Sequence, residues 1–320
     1  MDTVLKLKPK EVLPFTKKSN IQGALLVLGN WLMIAFAFSL PVLLPYWPSY
    51  IISVLLLANR QLGIAILMHD AAHYMLFENK QLNLWVGRFF CGAPVLADLD
   101  AYRTYHLKHH KDAGTTNDPD YPNYKSYPVT RTSLVRKVLR DLSGITATKT
   151  LYALMLMNAG ILNYDMVFKQ KEATKRVSML LMAKNLTKGL LLPILSNLLL
   201  FTVLWALGLS HLFFLWIIAY FTVYQLFLRI RNAAEHAGVP NLLDRNPLQH
   251  ARTTKAAWWE RLTVAPNYVN YHLEHHLRPN VPCYQLPAFH AYLQQQGVYK
   301  EVKIADGYAD VVRMLLLKTE

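Results

Sequence analysis

The chain has 320 residues, of which 53% are hydrophobic, and carries a formal net charge of +14. The apolar residues gather in long runs, a pattern that favours a membrane protein over a soluble one. The basic residues surround these runs and form no recognisable nucleic-acid-binding module, which argues against nucleic acid as a partner. Cys91 and Cys283 are the only cysteines, and they are predicted to be buried reduced thiols because they form no CxxC motif.

Four apolar runs are long enough to cross about 30 Å of hydrocarbon as helices, so the chain is predicted to be an all-α integral membrane protein. Five lysines precede the first run and no small-residue cleavage site follows it, which indicates a retained helix and not a removed signal peptide. The predicted spans are residues 21–44, 47–68, 186–207 and 212–228. Residues 69–185 and 229–320 are predicted to form a histidine-rich helical cap on the same single domain, 1–320.

Two further apolar runs, residues 82–96 and 151–162, are too short to span a membrane. They are predicted to be interfacial or re-entrant.

Arg60 interrupts the second predicted span, where a charge is costly. It is expected to pair inside the bundle or to extend toward the interface.

The distribution of basic residues predicts the orientation of the chain. Lysine and arginine crowd the N-terminal, middle and C-terminal segments, whereas the short turns at 44–47 and 208–211 carry none. The positive-inside rule therefore places both termini and the cap in the cytoplasm. A bacterial inner membrane is favoured over the endoplasmic reticulum, because no fused heme segment and no retention signal are found. With this orientation all the histidine motifs lie on one side of the membrane, where they could meet.

Three motifs place histidines at helical spacing: HDAAH at 69–73, HLKHH at 106–110 and HLEHH at 272–276. Positions i, i+3 and i+4 share one helix face, so the three rings of an HxxHH motif are expected to project toward one point. Imidazole nitrogen suits iron, zinc, copper or nickel. The predicted metal ligands in these motifs are His69, His73, His106, His109, His110, His272, His275 and His276.

His236 follows the fourth span and is predicted to be a ninth ligand. Asn232 lies one helical turn earlier and is predicted to act on the metal through water. Nine imidazoles are too many for one ion, whereas two ions with four or five nitrogens each would use the set. His211, His250 and His290 lack partners at ligand spacing and are not predicted to be ligands.

Three carboxylates adjoin the predicted ligands. Asp70, Glu235 and Glu274 are predicted to accept the second ring N–H of a ligating histidine. Glu274 points away from His272 on an ideal helix, so its partner is expected to be a histidine from another segment. The roles of Asp98, Asp118 and Asp120 are left open, and the stretch TTNDPDYP is first of all a turn sequence.

The three histidine boxes of the integral-membrane fatty acid desaturases resemble three segments of this chain: HDAAH, YHLKHH and NYHLEHHLRPNVPCYQLP. That superfamily also includes hydroxylases and carotenoid ketolases. The resemblance implies four membrane helices under a cytosolic cap, two iron ions, and O2-dependent attack on an unactivated C–H bond. The nine histidines match the family's ligand positions, and Asn232 is similar to an asparagine that reaches a metal through water in some members. The third box begins with His272 and not with the glutamine of front-end desaturases. No HPGG heme segment occurs, so electrons are expected from an external donor of the ferredoxin or cytochrome b5 type.

The leading hypothesis is a desaturase that introduces a C=C bond into an acyl lipid or acyl thioester. A lipid hydroxylase or a carotenoid ketolase or hydroxylase on the same framework is the nearest alternative. A metal transporter is a distant one, because its ligands should lie within the spans and near the membrane midplane. No substrate-binding residue is predicted. For Trp85, Phe89, Phe90, Trp258, Trp259 and Tyr268, packing or anchoring at the interface is favoured over a role in lining a substrate tunnel.

Overall fold

The computed structural model describes residues 7–165 and 177–317. Over these ranges the chain is helical, with no β-strand and only two isolated bridges, Val129–Leu316 and Thr254–Ala305. The predicted all-α class is therefore confirmed. Several basic residues that entered the charge argument lie outside the described residues: Lys6, Lys169, Lys171, Lys175 and Arg176.

The longer helices are α1 (Asn20–Leu43), α2 (Trp47–Ala72), α3 (Lys80–Val86), α4 (Leu99–Asp112), α5 (Arg131–Leu142), α6 (Ile145–Asn158), α7 (Met179–Ala206), α8 (Phe213–Phe221), α9 (Val223–His236), α10 (His272–Leu277), α11 (Leu286–Gln295) and α12 (Tyr308–Met314). Short helical turns occur at Pro9–Val12, Leu13–Thr16, Gly87–Gly92, Ala93–Val95, Tyr121–Tyr124, Ser210–Leu212, Pro247–His250, Trp258–Arg261, Pro266–Tyr268 and Cys283–Gln285.

Four helical stretches are long and apolar enough to cross a membrane: α1, α2, α7 and the stretch Ser210–His236 that contains α8 and α9. They match the four predicted spans but differ at their ends. Helix α7 begins at Met179, not at residue 186, because Ser178 caps it by accepting a hydrogen bond from the backbone N–H of Leu181. The fourth stretch is interrupted at Thr222 and then continues to His236.

Helix α2 is the centre of the bundle. It contacts α1, α8 and α9, and almost every residue from Leu57 to Ala72 is buried. The side-chain amide of Gln61 donates to the carbonyl of Trp216 at 2.9 Å and so joins α2 to α8. The helix runs four residues past the predicted end at residue 68, to Ala72. This extension carries His69 in the last turn and His73 at the C-cap, so both rings leave the bundle at the same end.

The run 82–96 is wedged between α1 and α7. Its backbone carbonyls are bonded by side chains of the spanning helices: Trp31 Nε1 donates to Phe90 O at 3.2 Å, and Ser196 Oγ donates to Phe89 O at 3.2 Å. Irregular backbone at membrane depth needs such partners because lipid offers none. These contacts fit the re-entrant interpretation. The run 151–162 provides the second half of α6, which packs against α7.

Arg60 is buried and joins a polar network inside the bundle. Its guanidinium donates to the side-chain oxygens of Asn59 and Asn30 and, at 3.4 Å, to the carbonyl of Arg261. Asn59 Nδ2 also donates to Thr263 O at 2.5 Å. The predicted interior pairing of Arg60 is confirmed, and the network fixes the chain segment that leads into α10. Cys91 and Cys283 are buried free thiols, as predicted.

Candidate metal centre

Four separate parts of the chain bring histidines to one end of the bundle. The end of α2 carries His69 and His73, α4 carries His106, His109 and His110, α9 ends at His236, and α10 carries His272, His275 and His276. All nine predicted ligands therefore come together, although up to about 200 residues separate them in the chain. His211 is exposed on the turn before α8 and is not among them.

The nine imidazoles divide into two groups. The five-histidine group contains His69, His73, His106, His110 and His275, and the four-histidine group contains His109, His236, His272 and His276. Within each group, one nitrogen of every ring lies within 4.8 Å of those of the others. This division agrees with the prediction of two sites with four or five nitrogens each.

Each HxxHH motif serves both groups, which differs from the expectation that its three rings meet at one point. His106 and His110 belong to the five-histidine group, but His109 belongs to the other. On a helix, positions i and i+4 differ by about 40°, whereas i+3 and i+4 differ by about 100°. When two sites lie side by side, the i and i+4 rings share one of them and the i+3 ring reaches its neighbour. In α10, His275 separates from His272 and His276 in the same way.

Ring nitrogens within each group face one another at short range. The Nε2 atoms of His236 and His272 are 2.8 Å apart, and those of His110 and His275 are 2.9 Å apart. Two unprotonated ring nitrogens are both acceptors, so a cation between them would remove the repulsion of their lone pairs. A neutral ring is also the form that binds a metal.

Burial keeps most of these rings neutral. Desolvation, aided by neighbouring histidines, lowers the pKa well below the ordinary value for His106, His110, His272, His275 and His276. Desolvation also lowers the pKa of His73 to about 4. His109 differs: desolvation lowers its pKa, but the hydrogen bond to Asp118 and the charge of Asp120 outweigh this and raise it. The rings with lowered pKa values present free lone pairs at neutral pH.

Hydrogen bonds at Nδ1 orient two rings of the four-histidine group, and a carboxylate lies beside Nδ1 of a third. His109 Nδ1 donates to Asp118 Oδ1 at 2.8 Å, and His236 Nδ1 donates to the carbonyl of His250 at 2.8 Å. His272 Nδ1 lies 3.2 Å from Glu235 Oε1. An acceptor at Nδ1 places the ring proton there and leaves Nε2 free for a metal. Asp118 also accepts the backbone N–H of Asp120 at 2.8 Å, so this residue forms the predicted turn and orients a ring as well.

The three carboxylates beside the predicted ligands have different partners. Glu235 contacts His272 and also lies 2.6 Å from Arg231 Nε, an ion-pair distance whose angle does not form a hydrogen bond. The described hydrogen bond of Asp70 comes from the backbone N–H of Cys283 at 2.9 Å, which ties α2 to the segment before α11. Of the two, only Glu235 lies beside a ring of the two groups, at an ion-pair distance that does not form a hydrogen bond.

Glu274 is fully buried and accepts a hydrogen bond from His290 Nδ1 at 2.5 Å. It also accepts hydrogen bonds from the hydroxyls of Thr253 and Tyr299. Glu274 thus pairs with a histidine of another segment, but His290 belongs to neither histidine group, so the predicted bond to a ligating ring is not seen. Sequence reasoning did not identify that histidine, because His290 has no neighbour at ligand spacing.

A cavity of about 480 Å³ opens onto both histidine groups. Five of the nine rings line it: His69, His106, His109, His236 and His272. Much of the remaining wall is apolar or aromatic and includes Leu62, Ile66, Leu154, Leu228, Tyr102, Tyr105, Tyr124, Tyr164, Tyr220 and Tyr224. Asn232 lies on the same wall, and its Oδ1 accepts a hydrogen bond from Arg231 Nη1 at 2.7 Å. The tyrosines carried no signal in the sequence, because they come from several separate segments of the chain.

The donor set fits a pair of first-row metal ions. Every donor in the two groups is an imidazole nitrogen, and no thiolate takes part among the described residues. Such a set suits iron, zinc, copper or nickel better than magnesium or calcium. The side chains therefore fit the two iron ions that the resemblance implies.

Comparison with known proteins agrees with this geometry. The chain matches a model of the fatty acid desaturase family over residues 45–307, a range that contains all nine histidines. It is also similar to dihydrorhizobitoxine desaturase of Bradyrhizobium elkanii, with 27% identity over 91% of this chain and 80% of that protein. The chain belongs to the fatty acid desaturase family and is an oxidoreductase.

Proposed function

We propose that the protein is an O2-dependent di-iron desaturase that introduces a C=C bond into an acyl lipid or acyl thioester. The observation that carries this proposal is the pair of buried imidazole groups that open onto one cavity. Bound iron would supply the one-electron redox chemistry with O2 that an unactivated C–H bond requires. The relative named as a desaturase favours desaturation over the hydroxylase and ketolase alternatives.

The proposed ligands are the nine clustered histidines, five for one iron and four for the other. Asp118, Glu235 and the His250 carbonyl would hold the rings of the four-histidine group in the tautomer that binds metal. Asn232 faces the cavity beside this group and is proposed to hold a metal-bound water. Asp70 and Glu274 would act indirectly, by anchoring α2 and α10.

The cavity is proposed to hold the substrate, with two neighbouring methylenes close to both histidine groups. Its apolar and aromatic wall would exclude water and fix which bond reacts. Desaturation removes one hydrogen from each of two adjacent carbons. These two hydrogens, together with two electrons and two protons supplied from outside, reduce O2 to two molecules of water.

The two electrons are proposed to come from a separate ferredoxin or cytochrome b5 type protein. The proposed orientation places both termini and the histidine groups in the cytoplasm, where such a donor could reach them. It rests on the basic residues that flank the spans. A bacterial inner membrane remains the favoured location.

Lipid analysis of a host that expresses the protein tests the proposal. Mass spectrometry should detect an acyl product two hydrogens lighter than its precursor, absent when His275→Ala replaces the wild type. The relative's name motivates a parallel assay with dihydrorhizobitoxine as substrate. A gain of oxygen would instead establish a hydroxylase or ketolase. Purified protein that holds zinc alone and consumes no O2 with a reductant would favour the transporter alternative.

A further inference from the structure

His250 lies next to the four-histidine group but belongs to neither group. It ends the short turn Pro247–His250, and only 3% of it is exposed. Its ring centroid is 5.4 Å from that of His276 and 6.2 Å from that of His236. For comparison, the ring centroids of His272 and His276 within the group are 4.6 Å apart, and those of His109 and His276 are 5.1 Å apart. His250 therefore adjoins the group beside His276, although it lies farther from the group than the members lie from one another.

The tautomer of His250 follows from its hydrogen bond. Nδ1 lies 2.7 Å from the carbonyl oxygen of Asp244, which can only accept, so Nδ1 carries the proton. Nε2 then has a free lone pair. This atom is buried and has no hydrogen-bond partner. Burying a polar atom without a hydrogen-bond partner costs about 1–3 kcal/mol of stability. A buried ring nitrogen without a partner therefore suggests that a ligand binds to it.

Two of the proposed ligands also have a buried ring nitrogen without a hydrogen-bond partner. Among the described residues, three imidazole nitrogens are buried without a partner: the Nε2 atoms of His69, His73 and His250. The first two belong to the five-histidine group. His250 also connects directly to the four-histidine group, because its carbonyl accepts the Nδ1 proton of His236.

We propose that His250 Nε2 is a tenth metal-binding nitrogen that completes the four-histidine group to five. This inference rests on the proposed function, in which each group holds one metal. His250 does not line the cavity, whereas Asn232 does. The additional nitrogen would thus belong to a residue outside the cavity wall, in contrast to Asn232. Sequence spacing missed His250 because it lies 14 residues from His236, on a separate turn.

The substitution His250→Asn separates the hydrogen bond that Nδ1 makes from the metal binding proposed for Nε2. The asparagine amide can still donate to the Asp244 carbonyl from near the position of Nδ1, but it has no atom in place of Nε2. Purified full-length wild type and variant are loaded with Co²⁺ and titrated with a chelator. The wild type should hold two ions, and H250N should release one of them at least about tenfold more readily, with an altered visible spectrum for that ion. The matched control is His211→Asn, at an exposed position, which should behave as the wild type.

Two Co²⁺ ions with wild-type affinity and spectrum in H250N would overturn the inference and leave the proposed function intact. A wild type that binds fewer than two metals would instead contradict the proposed function. If H250N does not fold, an experimental structure of the metal-loaded wild type decides. The inference requires a metal about 2.0–2.2 Å from His250 Nε2, and a water on that atom would overturn it.

Discussion

The carboxylate of Glu274 and the ring of His290 lie 2.5 Å apart and join α10 to α11. Glu274 stands between two proposed ligands in the sequence, His272 and His275, yet its side chain points away from the metal groups. It is held by His290, Thr253 and Tyr299. The bond therefore fixes the rotation of the helix that presents three of the nine clustered rings.

Substituting His290 tests this link. His290→Ala removes a donor from a fully buried carboxylate, which we expect to destabilise the fold by about 1–3 kcal/mol. The thermal midpoint should fall measurably, and metal retention should fall with it. His211→Ala, at an exposed position, is the control and should leave the midpoint unchanged. Equal midpoints for the two variants would show that the bond does not hold α10 in place.

His275→Ala tests the proposed ligand set. Removing one nitrogen of the five-histidine group should abolish product formation, while circular dichroism should still report the helical content of the membrane stem. The helices should persist because apolar faces and the network around Arg60 hold them, and neither involves His275. Turnover close to that of the wild type would contradict the assignment.

Asp118→Asn tests the orientation of His109. The asparagine can offer an N–H where the ring needs an acceptor, which would favour the wrong tautomer and weaken metal binding about 10- to 100-fold. Chelator titration measures this change. Asp98→Asn is the matched control, because Asp98 caps the first turn of α4 and asparagine caps equally well. The same loss in both variants would mean that the charge of the region, and not the bond to His109, is what matters.

The lowered histidine pKa values predict how the metal-free protein responds to acid. The pKa of His73 is about 4 in the folded state, against about 6.5 in an unfolded chain. Between these values the unfolded chain binds more protons, so stability is lost as the pH falls from about 6.5 toward 4. The other buried rings with lowered pKa values act in the same direction.

Thermal unfolding of the chelated protein at a series of pH values measures this effect. The midpoint should fall between pH 7 and pH 5. A His73→Gln variant should show a smaller fall, because it lacks one of the titrating rings. A midpoint that stays constant or rises in acid would show that these rings are not held neutral in the folded protein.

Local sequence patterns determined the number of membrane-spanning helices and the spacing of the histidines along the helices. Apolar runs of about 20 residues predict the spans because the hydrocarbon core sets their length. The ends of the helices were less predictable. Lys184 and Asn185 interrupt the apolar pattern near the start of α7, so the pattern predicts a later start, whereas a single cap at Ser178 starts the helix at Met179. The helical period also predicts which histidines share a face.

Only the tertiary structure decided which of the two groups each histidine joins and which residues orient its ring. The period of one helix is a local property, but the division of HLKHH and HLEHH between two groups depends on where α4 and α10 stand relative to α2 and α9. The partners Asp118, His290 and His250 come from turns and from a distant helix, so no spacing in the sequence links them to the rings that they contact. Hydrogen bonds and burial depend on distances in space, and packing alone brings residues far apart in the chain within reach of one another.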